Sequence, residues 1–390
     1  MTEAPGGRLV VVGSSVAGVR AVEGARRAGW AGPITLLGSE NHPPYDRPPL
    51  SKELLAPDGP TGVPRLRSAE SLEALEVEIR ARVTATSLHA DRRVIATTDG
   101  EIGYDALVIA TGGRARRLPG TAGLAGVHAI RDYADAVALR HALDTASRVV
   151  VIGAGFIGSE VASAARERGL AVTLVEAAAQ PLARAIGPVA AGMLAGLHDI
   201  GGSRLVLGTS VQRVAHDGGQ VVGVELGTGE VLPADVVVPG IGSIPCAEWL
   251  ARSGIGVDPA TGGVVVDDAL ATSIPGVWAA GDVACLGHHA TQHWTTAAEQ
   301  GRVAGANAAG AGERFGAVPF GWSQWYGHRI QTVGTTTGVT EEVIDEGLVL
   351  SRDGDELVGA VAIDQPRALA RVRRALLARS RSETAARAEG

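Results

Sequence analysis

The sequence predicts an α/β protein made of two copies of one strand–turn–helix–strand unit, closed by a small α+β segment. Three observations carry that prediction. An apolar strand running into a glycine-rich turn occurs twice, with the first turn glycines, Gly13 and Gly153, 140 residues apart. A second kind of strand occurs twice as well, ending Ala110-Thr111-Gly112 in one copy and Val238-Pro239-Gly240 in the other. Residues 317–390 change character, with Phe320, Trp322, Trp325 and Tyr326 close together ahead of a basic tail.

The elements follow in order. Residues 8–12, Arg-Leu-Val-Val-Val, are β-branched and apolar, as a strand buried on both faces should be. Gly13-Ser14-Ser15-Val16-Ala17-Gly18 then turns into a helix that Gly29 stops, and Ile34-Thr35-Leu36-Leu37 makes the next strand. The same grammar returns with residues 148–152, Gly153-Ala154-Gly155-Phe156-Ile157-Gly158, a helix stopped by Gly169, and the strand 172–176. A supersecondary unit repeated at this spacing implies two nucleotide-binding folds in one chain.

Composition narrows the class. With 390 residues, 45% of them apolar, the chain can build two or three cores, which excludes overall disorder. The 54 glycines have no three-residue period, so the chain is no collagen. No uncharged apolar run approaches the ~18 residues of a membrane span, and the start, Met1-Thr2-Glu3-Ala4, lacks a basic leader. A net charge of −7 argues against a nucleic-acid partner. Two cysteines, Cys246 and Cys285, supply neither a disulfide scaffold nor a CxxC pair. The expectation is a soluble cytoplasmic protein without nucleic-acid or membrane partners.

The second glycine turn is the stronger site. Gly153 permits the tight turn, Gly155 lets backbone approach a pyrophosphate, and Gly158 lets the helix pack close to the sheet. The helix N-terminus offers N–H groups and a partial positive charge to phosphate. Glu176 stands twenty-three residues beyond Gly153, at the end of the next strand. A carboxylate there accepts hydrogen bonds from a ribose 2′-OH and repels a 2′-phosphate, which favours NADH over NADPH. The first turn is imperfect: Ser15 occupies the slot of the second glycine, and Gly38 the slot of the carboxylate. Glu40, two residues on, either reaches a ribose or is solvated surface.

A third element, Gly276-Val277-Trp278-Ala279-Ala280-Gly281-Asp282-Val283, sets Asp282 beside a second helix N-terminus, as in flavoproteins. With it the chain resembles the FAD-dependent pyridine nucleotide-disulfide oxidoreductases, and more narrowly their ferredoxin reductase branch, the putidaredoxin, biphenyl dioxygenase and rubredoxin reductases. The narrower resemblance rests on Tyr45-Asp46-Arg47-Pro48-Pro49-Leu50-Ser51-Lys52, on Gly155-Phe156-Ile157-Gly158-Ser159-Glu160, on Trp294 through Gln300-Gly301, and on Trp322-Ser323-Gln324-Trp325-Tyr326 with Arg329-Ile330-Gln331.

That resemblance implies a glutathione-reductase-like fold: two Rossmann-like domains, FAD-binding at residues 1–115 and 241–316 and NAD-binding at 116–240, with a C-terminal interface domain at 317–390. It implies hydride transfer from NADH to FAD, then single electrons to a small iron–sulfur ferredoxin serving a cytochrome P450 or a Rieske-type oxygenase. Lys52 is implied near the reactive edge of the flavin, paired with Glu160, although such a pair is also a common structural device. Trp322 is implied on the electron-exit side, or is simply a core tryptophan. Gly13, Ser15, Val16, Ala17, Gly18, Arg47, Val83, Ala110, Thr111, Gly112, Arg131, Gly242, Gly281, Asp282 and Trp294 complete the implied contacts to FAD or its surroundings. Gly153, Gly155, Phe156, Ile157, Gly158, Glu176 and Arg184 complete those to NAD, with Arg184 otherwise read as capping the helix that follows.

Cysteine decides among relatives, because disulfide reductases need CxxxxC and peroxidase relatives one reactive Cys against the flavin. Residues 38–56 hold none, so Cys246 and Cys285 read as buried small hydrophobes. The pattern His288-His289-x-x-x-His293 lacks a supporting carboxylate set, so no metal is expected. Departures from the family's pattern fall at Ala290 and Gln292, where charged residues are usual, and at Gln324 and Trp325. They keep two other readings open: the same fold with oxygen, a quinone or another small acceptor, and a non-catalytic flavoprotein of the apoptosis-inducing-factor type. Arg367, Arg371, Arg373, Arg374, Arg379 and Arg381 make a basic stretch that suits an acidic ferredoxin or is a solvated helix face, and a second copy of the chain is a further candidate partner.

Overall fold

The computed structural model describes residues 6–288 and 292–389 and divides into two compact units. The first comprises Met1–Asp46, Val63–Arg114 and Ile244–Ala317, the second Arg47–Gly62, Ala115–Ser243 and Val318–Gly390.

The first unit is built on a five-stranded parallel sheet. Its strands lie in the order Val277–Ala279, Ala106–Ile109, Leu9–Val12, Ile34–Leu37, Val77–Arg80. Leu9–Val12, Ile34–Leu37 and Ala106–Ile109 are buried at every position, which is why they read as unbroken apolar runs rather than alternating ones. The chain builds outward from Leu9–Val12 on one side and then crosses to the other. The carboxyl ends of Leu9–Val12 and Ala106–Ile109 therefore form a topological switch point, where α/β folds take ligands. A three-stranded antiparallel sheet, Ala85–His89, Val94–Thr97 and Gly100–Gly103, is added to this core.

The second unit repeats the plan with four parallel strands in the order Arg204–Val206, Ala171–Val175, Arg148–Ile152, Val236–Pro239. The first turns of the two sheets are held alike. Gly13 N–H donates to Leu37 O at 2.8 Å, and Gly153 N–H to Val175 O at 2.7 Å. A β-carbon on Gly13 would stand 2.0 Å from Ala110 O, and one on Gly153 would stand 2.4 Å from Gly240 O. The twin strands noticed in the sequence thus explain the invading glycines: each lies against the end of its neighbour, at a positive φ.

The second unit also contains a five-stranded antiparallel sheet, ordered Phe320–Trp325, His328–Gly334, Glu356–Ile363, Leu348–Asp353, Thr340–Asp345. One face packs Val333, Leu348, Ala360 and Ala362 against Ala368, Leu369, Val372 and Leu376 of the helix Pro366–Glu389. The other packs Trp325, Ile330, Val349 and Val361 against Leu194 and Leu197 of the helix Pro188–Ile200, and against Leu182 and Ile186 before it. This shared core is why the segment from Val318, read from the sequence as part of a separate domain 317–390, groups with the four-stranded parallel sheet. Residues 47–62 group there too. Leu55 enters the core with Leu139 and Leu143, and the Arg140 guanidinium donates to the carbonyls of Leu54, Gly59 and Pro60 at 2.9–3.1 Å.

Candidate functional site

In the first unit, the helix Val16–Arg27 starts at Ser15 and crosses the helix Trp294–Ala308 in backbone contact. Small residues make that crossing possible. A β-carbon on Gly301 would stand 2.1 Å from Ala17 O, one on Gly305 1.8 Å from Ala21 O, and one on Gly24 2.2 Å from Arg302 O. The loop through Gly281 closes on the same point, where an added β-carbon would meet Ala17 Cβ at 2.9 Å. Buried Gln300 accepts the Gly281 N–H at 2.9 Å. Gly281, Ala17 and Gly301 are thereby gathered at one place, with Asp282 adjoining. Neither helix carries an acidic side chain in its first turn, so neither positive end is neutralised from within its own helix. A β-carbon on Gly18 would be 1.8 Å from Gly13 O, the helix–strand packing expected of the third glycine.

The departures in this turn have physical causes. At Gly38 a β-carbon would lie 2.2 Å from Ser14 Oγ, so the serine hydroxyl fills the space beside the strand end where a carboxylate was sought. Glu40 is not loose surface: its carboxylate accepts the Tyr45 hydroxyl at 2.5 Å, and its carbonyl accepts Arg82 N–H at 3.1 Å. Val83, buried, donates its N–H to Gly38 O at 2.9 Å, so Val83, Gly38 and Glu40 form one surface beyond the second strand. Ala110 is tied to Val12, and the Thr111 hydroxyl donates to Cys246 O at 2.7 Å while Gly112 takes φ +65°. Trp294 opens its helix with its indole N–H on Asp46 at 2.6 Å, a partner that the sequence did not single out.

The second unit holds the better-formed turn. The helix Phe156–Glu167 is capped by Gly155, where a β-carbon would meet nothing within 4 Å, while one on Gly158 would be 2.1 Å from Gly153 O. The open side at Gly155 and the tight side at Gly158 are the two requirements of a backbone that approaches pyrophosphate. Both Glu176 oxygens accept backbone N–H groups at 2.9 Å, from Ala154 inside the turn and from Ala178. The carboxylate is therefore fixed at the strand end. Ile157 is 46% exposed at the helix start, an apolar surface suited to a flat ring. Arg184 is exposed on the loop that follows Leu182, whose N–H reaches Ala154 O at 3.3 Å; it does not cap a helix. Arg47 donates to Arg131 O, which brings those two residues together, and Gly242 takes φ +96° with its carbonyl on Arg116 N–H.

Lys52 and Glu160 meet as the resemblance implies, with Lys52 Nζ 2.8 Å from Glu160 Oε1 and the glutamate side chain 2% exposed. Two further partners were not foreseen. Ser51 donates to Glu160 Oε2, and Ser323 donates to Oε1 at 2.5 Å. The lysine also donates to Pro48 O at 3.1 Å. A buried carboxylate with three donors is a satisfied one. Along the strand Phe320–Trp325 the alternation is plain: Ser323 and Trp325 face in at 0% exposure, whereas Trp322, 37% exposed, faces out beside Phe320. On this strand Trp325 is a core tryptophan, and Trp322 is not.

Arg367, Arg371 and Arg374 are exposed on the last helix; Arg373 lies over the Phe320 ring at 4.5 Å, and Arg379 pairs with Glu356. Arg381, His289 and Ala290 lie outside the residues whose side chains are described. Cys285 is buried but Cys246 only partly so, because the loop carrying it borders Arg114 and Glu248 at the surface. His288 is exposed and paired with Asp258 at 2.8 Å, while His293 is half-buried. Among the described residues no group of three or more His, Cys, Asp or Glu side chains is placed to hold a metal.

Comparison with known proteins agrees with this geometry. Residues 7–301 match the family model "Pyridine nucleotide-disulphide oxidoreductase", and residues 320–389 match "Reductase C-terminal". The chain is 36% identical over 373 residues to rhodocoxin reductase of Rhodococcus erythropolis, covering 92% of this chain and 87% of the relative. It is 36% identical over 345 residues to the biphenyl dioxygenase system ferredoxin–NAD(+) reductase component of Paraburkholderia xenovorans, covering 86% and 83%. The covalent putidaredoxin reductase–putidaredoxin complex superposes with a TM-score of 0.89 at 30% identity, covering 95% of this chain and 93% of that one. Two glycine turns with open helix ends, a fixed Glu176 and family matches across nearly the whole length lead to one conclusion: the chain belongs to the pyridine nucleotide-disulphide oxidoreductase family, as an FAD-containing, NAD(H)-dependent reductase.

Proposed function

We propose that this reductase takes hydride from NADH and passes electrons singly to a small iron–sulfur ferredoxin, which serves a P450 or Rieske-type oxygenase. FAD, when bound, converts a two-electron donor into one-electron deliveries. The observation that carries the reading is the pair Lys52–Glu160, in a stretch where thiol-using relatives need cysteine and this chain has none at residues 38–56. Without a thiol relay, the electrons leave for an external acceptor.

The chain's own residues divide the work. The turn Gly153–Gly155–Gly158 and the N-terminus of its helix bind the NADH pyrophosphate. Glu176 takes the ribose diol, Phe156 and Ile157 border the nicotinamide, and Arg184 covers the adenine end. Gly13, Ser15, Val16, Ala17, Gly18, Gly281 and Asp282 hold the FAD phosphates and ribityl chain, with Glu40 and Val83 at its adenosine. Arg47, Ala110, Thr111, Gly112, Arg131, Gly242 and Trp294 shape the remainder of its pocket. Lys52, oriented by Glu160, supplies positive charge to the reduced ring, and Trp322 offers an exposed aromatic to the partner. The domain limits 1–115 with 241–316, 116–240 and 317–390 belong to the same proposal, supported by the separate family match to residues 320–389. So do a cytoplasmic location, in keeping with the absence among the described residues of a helix able to cross a membrane, and a homodimer, to be checked by sedimentation.

An anaerobic titration with NADH, and separately NADPH, tests the reading. Bleaching of bound flavin near one equivalent of NADH, with NADPH much weaker, followed by turnover that rises on adding a ferredoxin, is the expected result. Brisk oxygen or quinone reduction with no response to ferredoxin would overturn it.

A further inference from the structure

We propose that Trp325 and Ser323 are positioning residues that act in sequence on Glu160, and through it on Lys52. This rests on the reductase reading and extends it to residues that touch neither nucleotide. Ser323 and Trp325 lie two residues apart on the inward face of one strand, both at 0% exposure. The indole N–H of Trp325 reaches Ser323 Oγ at 2.7 Å. An indole nitrogen donates and never accepts, so the serine oxygen is the acceptor of that bond. A hydroxyl has one proton, and Glu160 Oε1, 2.5 Å away, takes it. The direction of the relay is therefore set by chemistry: Trp325 donates to Ser323, and Ser323 to Glu160.

The indole is itself immobilised. Its ring stacks on His198 at 5.6 Å and 24°, and meets Phe156 at 6.1 Å. At the other end, Glu160 Oε1 accepts from both Ser323 and Lys52 Nζ, and Oε2 accepts from Ser51 of the turn Pro48–Ser51. Three donors from two segments, Ser51 and Lys52 on one and Ser323 on the other, pin the carboxylate in one orientation, and the carboxylate with Pro48 O pins the ammonium. In a buried site the position of a charge, rather than its presence alone, sets what it stabilises. Trp325 thus helps to fix where the Lys52 charge stands, although it lies one hydroxyl and one carboxylate away.

The test is a double-mutant cycle on the flavin-loaded protein with Ser323→Ala, Trp325→Phe and the pair, and with Ser323→Thr as the conservative variant. Phenylalanine keeps an aromatic ring against His198 and removes the N–H together with part of the ring volume, a loss of packing that is the same in both backgrounds and that unfolding stability reports separately from kcat. With ferricyanide as acceptor, Ser323→Ala is expected to lower kcat about tenfold and Trp325→Phe about threefold, with KM for NADH within about twofold. The midpoint potential of the bound flavin moves in both variants, and Ser323→Thr restores kcat and potential. In the Ser323→Ala background, Trp325→Phe has no further effect, because its route to Glu160 is already cut. In spectra of protein carrying 15N-labelled tryptophan, the indole resonance missing in Trp325→Phe shifts in Ser323→Ala and returns in Ser323→Thr. The proposal is overturned by native kcat and potential in Ser323→Ala, by an equal effect of Trp325→Phe in both backgrounds, or by an indole resonance indifferent to Ser323. If the native protein does not bleach with NADH, the reductase reading falls, while the indole resonance still decides the relay.

Discussion

Removing the two members of the Lys52–Glu160 pair one at a time should have unequal costs, and the structure says which is larger. The glutamate side chain is 2% exposed and the lysine 15%, so the lysine retains a route to water that the glutamate lacks. In Lys52→Met the carboxylate stays buried with only the Ser51 and Ser323 hydroxyls as donors. Breaking a buried pair in this way costs about 3–5 kcal/mol. In Glu160→Gln the amide oxygen still accepts from Lys52, the amide nitrogen can turn to a serine oxygen, and the ammonium keeps Pro48 O. That loss is about 1–2 kcal/mol, the worth of exchanging charged hydrogen bonds for neutral ones. The double variant leaves no uncompensated charge, so its loss should fall short of the sum by about 2 kcal/mol. Urea unfolding of all four proteins, compared at a common m-value, measures these differences. A larger loss for Glu160→Gln than for Lys52→Met, or strict additivity, would refute the argument that the glutamate is the buried charge and the lysine its neutraliser.

Three further outcomes are expected. Glu176→Gln should narrow the preference for NADH over NADPH about 10- to 100-fold in kcat/KM, since a 2′-phosphate some 4 Å from a carboxylate is repelled by about 1–4 kcal/mol per unit charge; an unchanged ratio would remove Glu176 from the ribose site. His198 is buried, which pushes its pKa down to about 4 from an ordinary value of 6.5, so the unfolded chain binds a proton that the folded one refuses. The stability contributed by its neutral form is complete above about pH 6.5 and is lost as pH falls toward 4, about 3 kcal/mol in all; in urea unfolding across that range His198→Gln should show a flatter dependence, and an unaltered slope would acquit this histidine. Gly305→Ala places a β-carbon 1.8 Å from Ala21 O and should destabilise the first unit by about 3 kcal/mol or more, with flavin retention falling on gel filtration. Normal flavin content and stability would mean that the helix crossing is not what holds the site together.

Both turns were legible in the sequence because their physics is local: a strand, three glycines at fixed spacing and a helix are adjacent in the chain. Even the reason for Gly13 and Gly153 was half visible, since the strands that press on them, ending at Ala110 and Gly240, stood out as a pair. What could not be read depends on partners far apart in the chain. Gly24, Gly301 and Gly305 look like ordinary helix-weakening residues until two helices nearly 280 residues apart are seen to cross through them. Ser51, Ser323 and Trp325 carry no spacing that points to Glu160, 109 and 163 residues from the two serines. Alternation along residues 320–325 was the one available signal, and it separates outward Trp322 from inward Trp325. The placement of residues 47–62 could not be read for a similar reason, because the carbonyls that bind them to the second unit have no side-chain code; Arg140, Arg168 and Tyr133, bonded to them, were the available hints.

The two turns also show how much of a fingerprint is sterically required and how much is negotiable. In each copy the first and third glycines face backbone oxygens at 2.0–2.4 Å and 1.8–2.1 Å from an added β-carbon, distances no side chain can occupy. In the second copy nothing stands within 4 Å of the middle glycine, so a small side chain at that slot meets ligand rather than protein. That is why Ser15 is possible where Gly13 and Gly18 are fixed. The strand-end acid is negotiable for another reason. In the second copy Glu176 is held by one N–H of the glycine turn and one of the loop that follows it, whereas in the first Ser14 fills the space beside Gly38 and the next acid along the chain is Glu40, steadied by Tyr45. Replacing Tyr45 by Phe should therefore loosen Glu40 and weaken adenosine-end binding in the first unit, leaving NADH binding at the second untouched. FAD dissociation and NADH affinity, measured on the same variant, would separate the two copies.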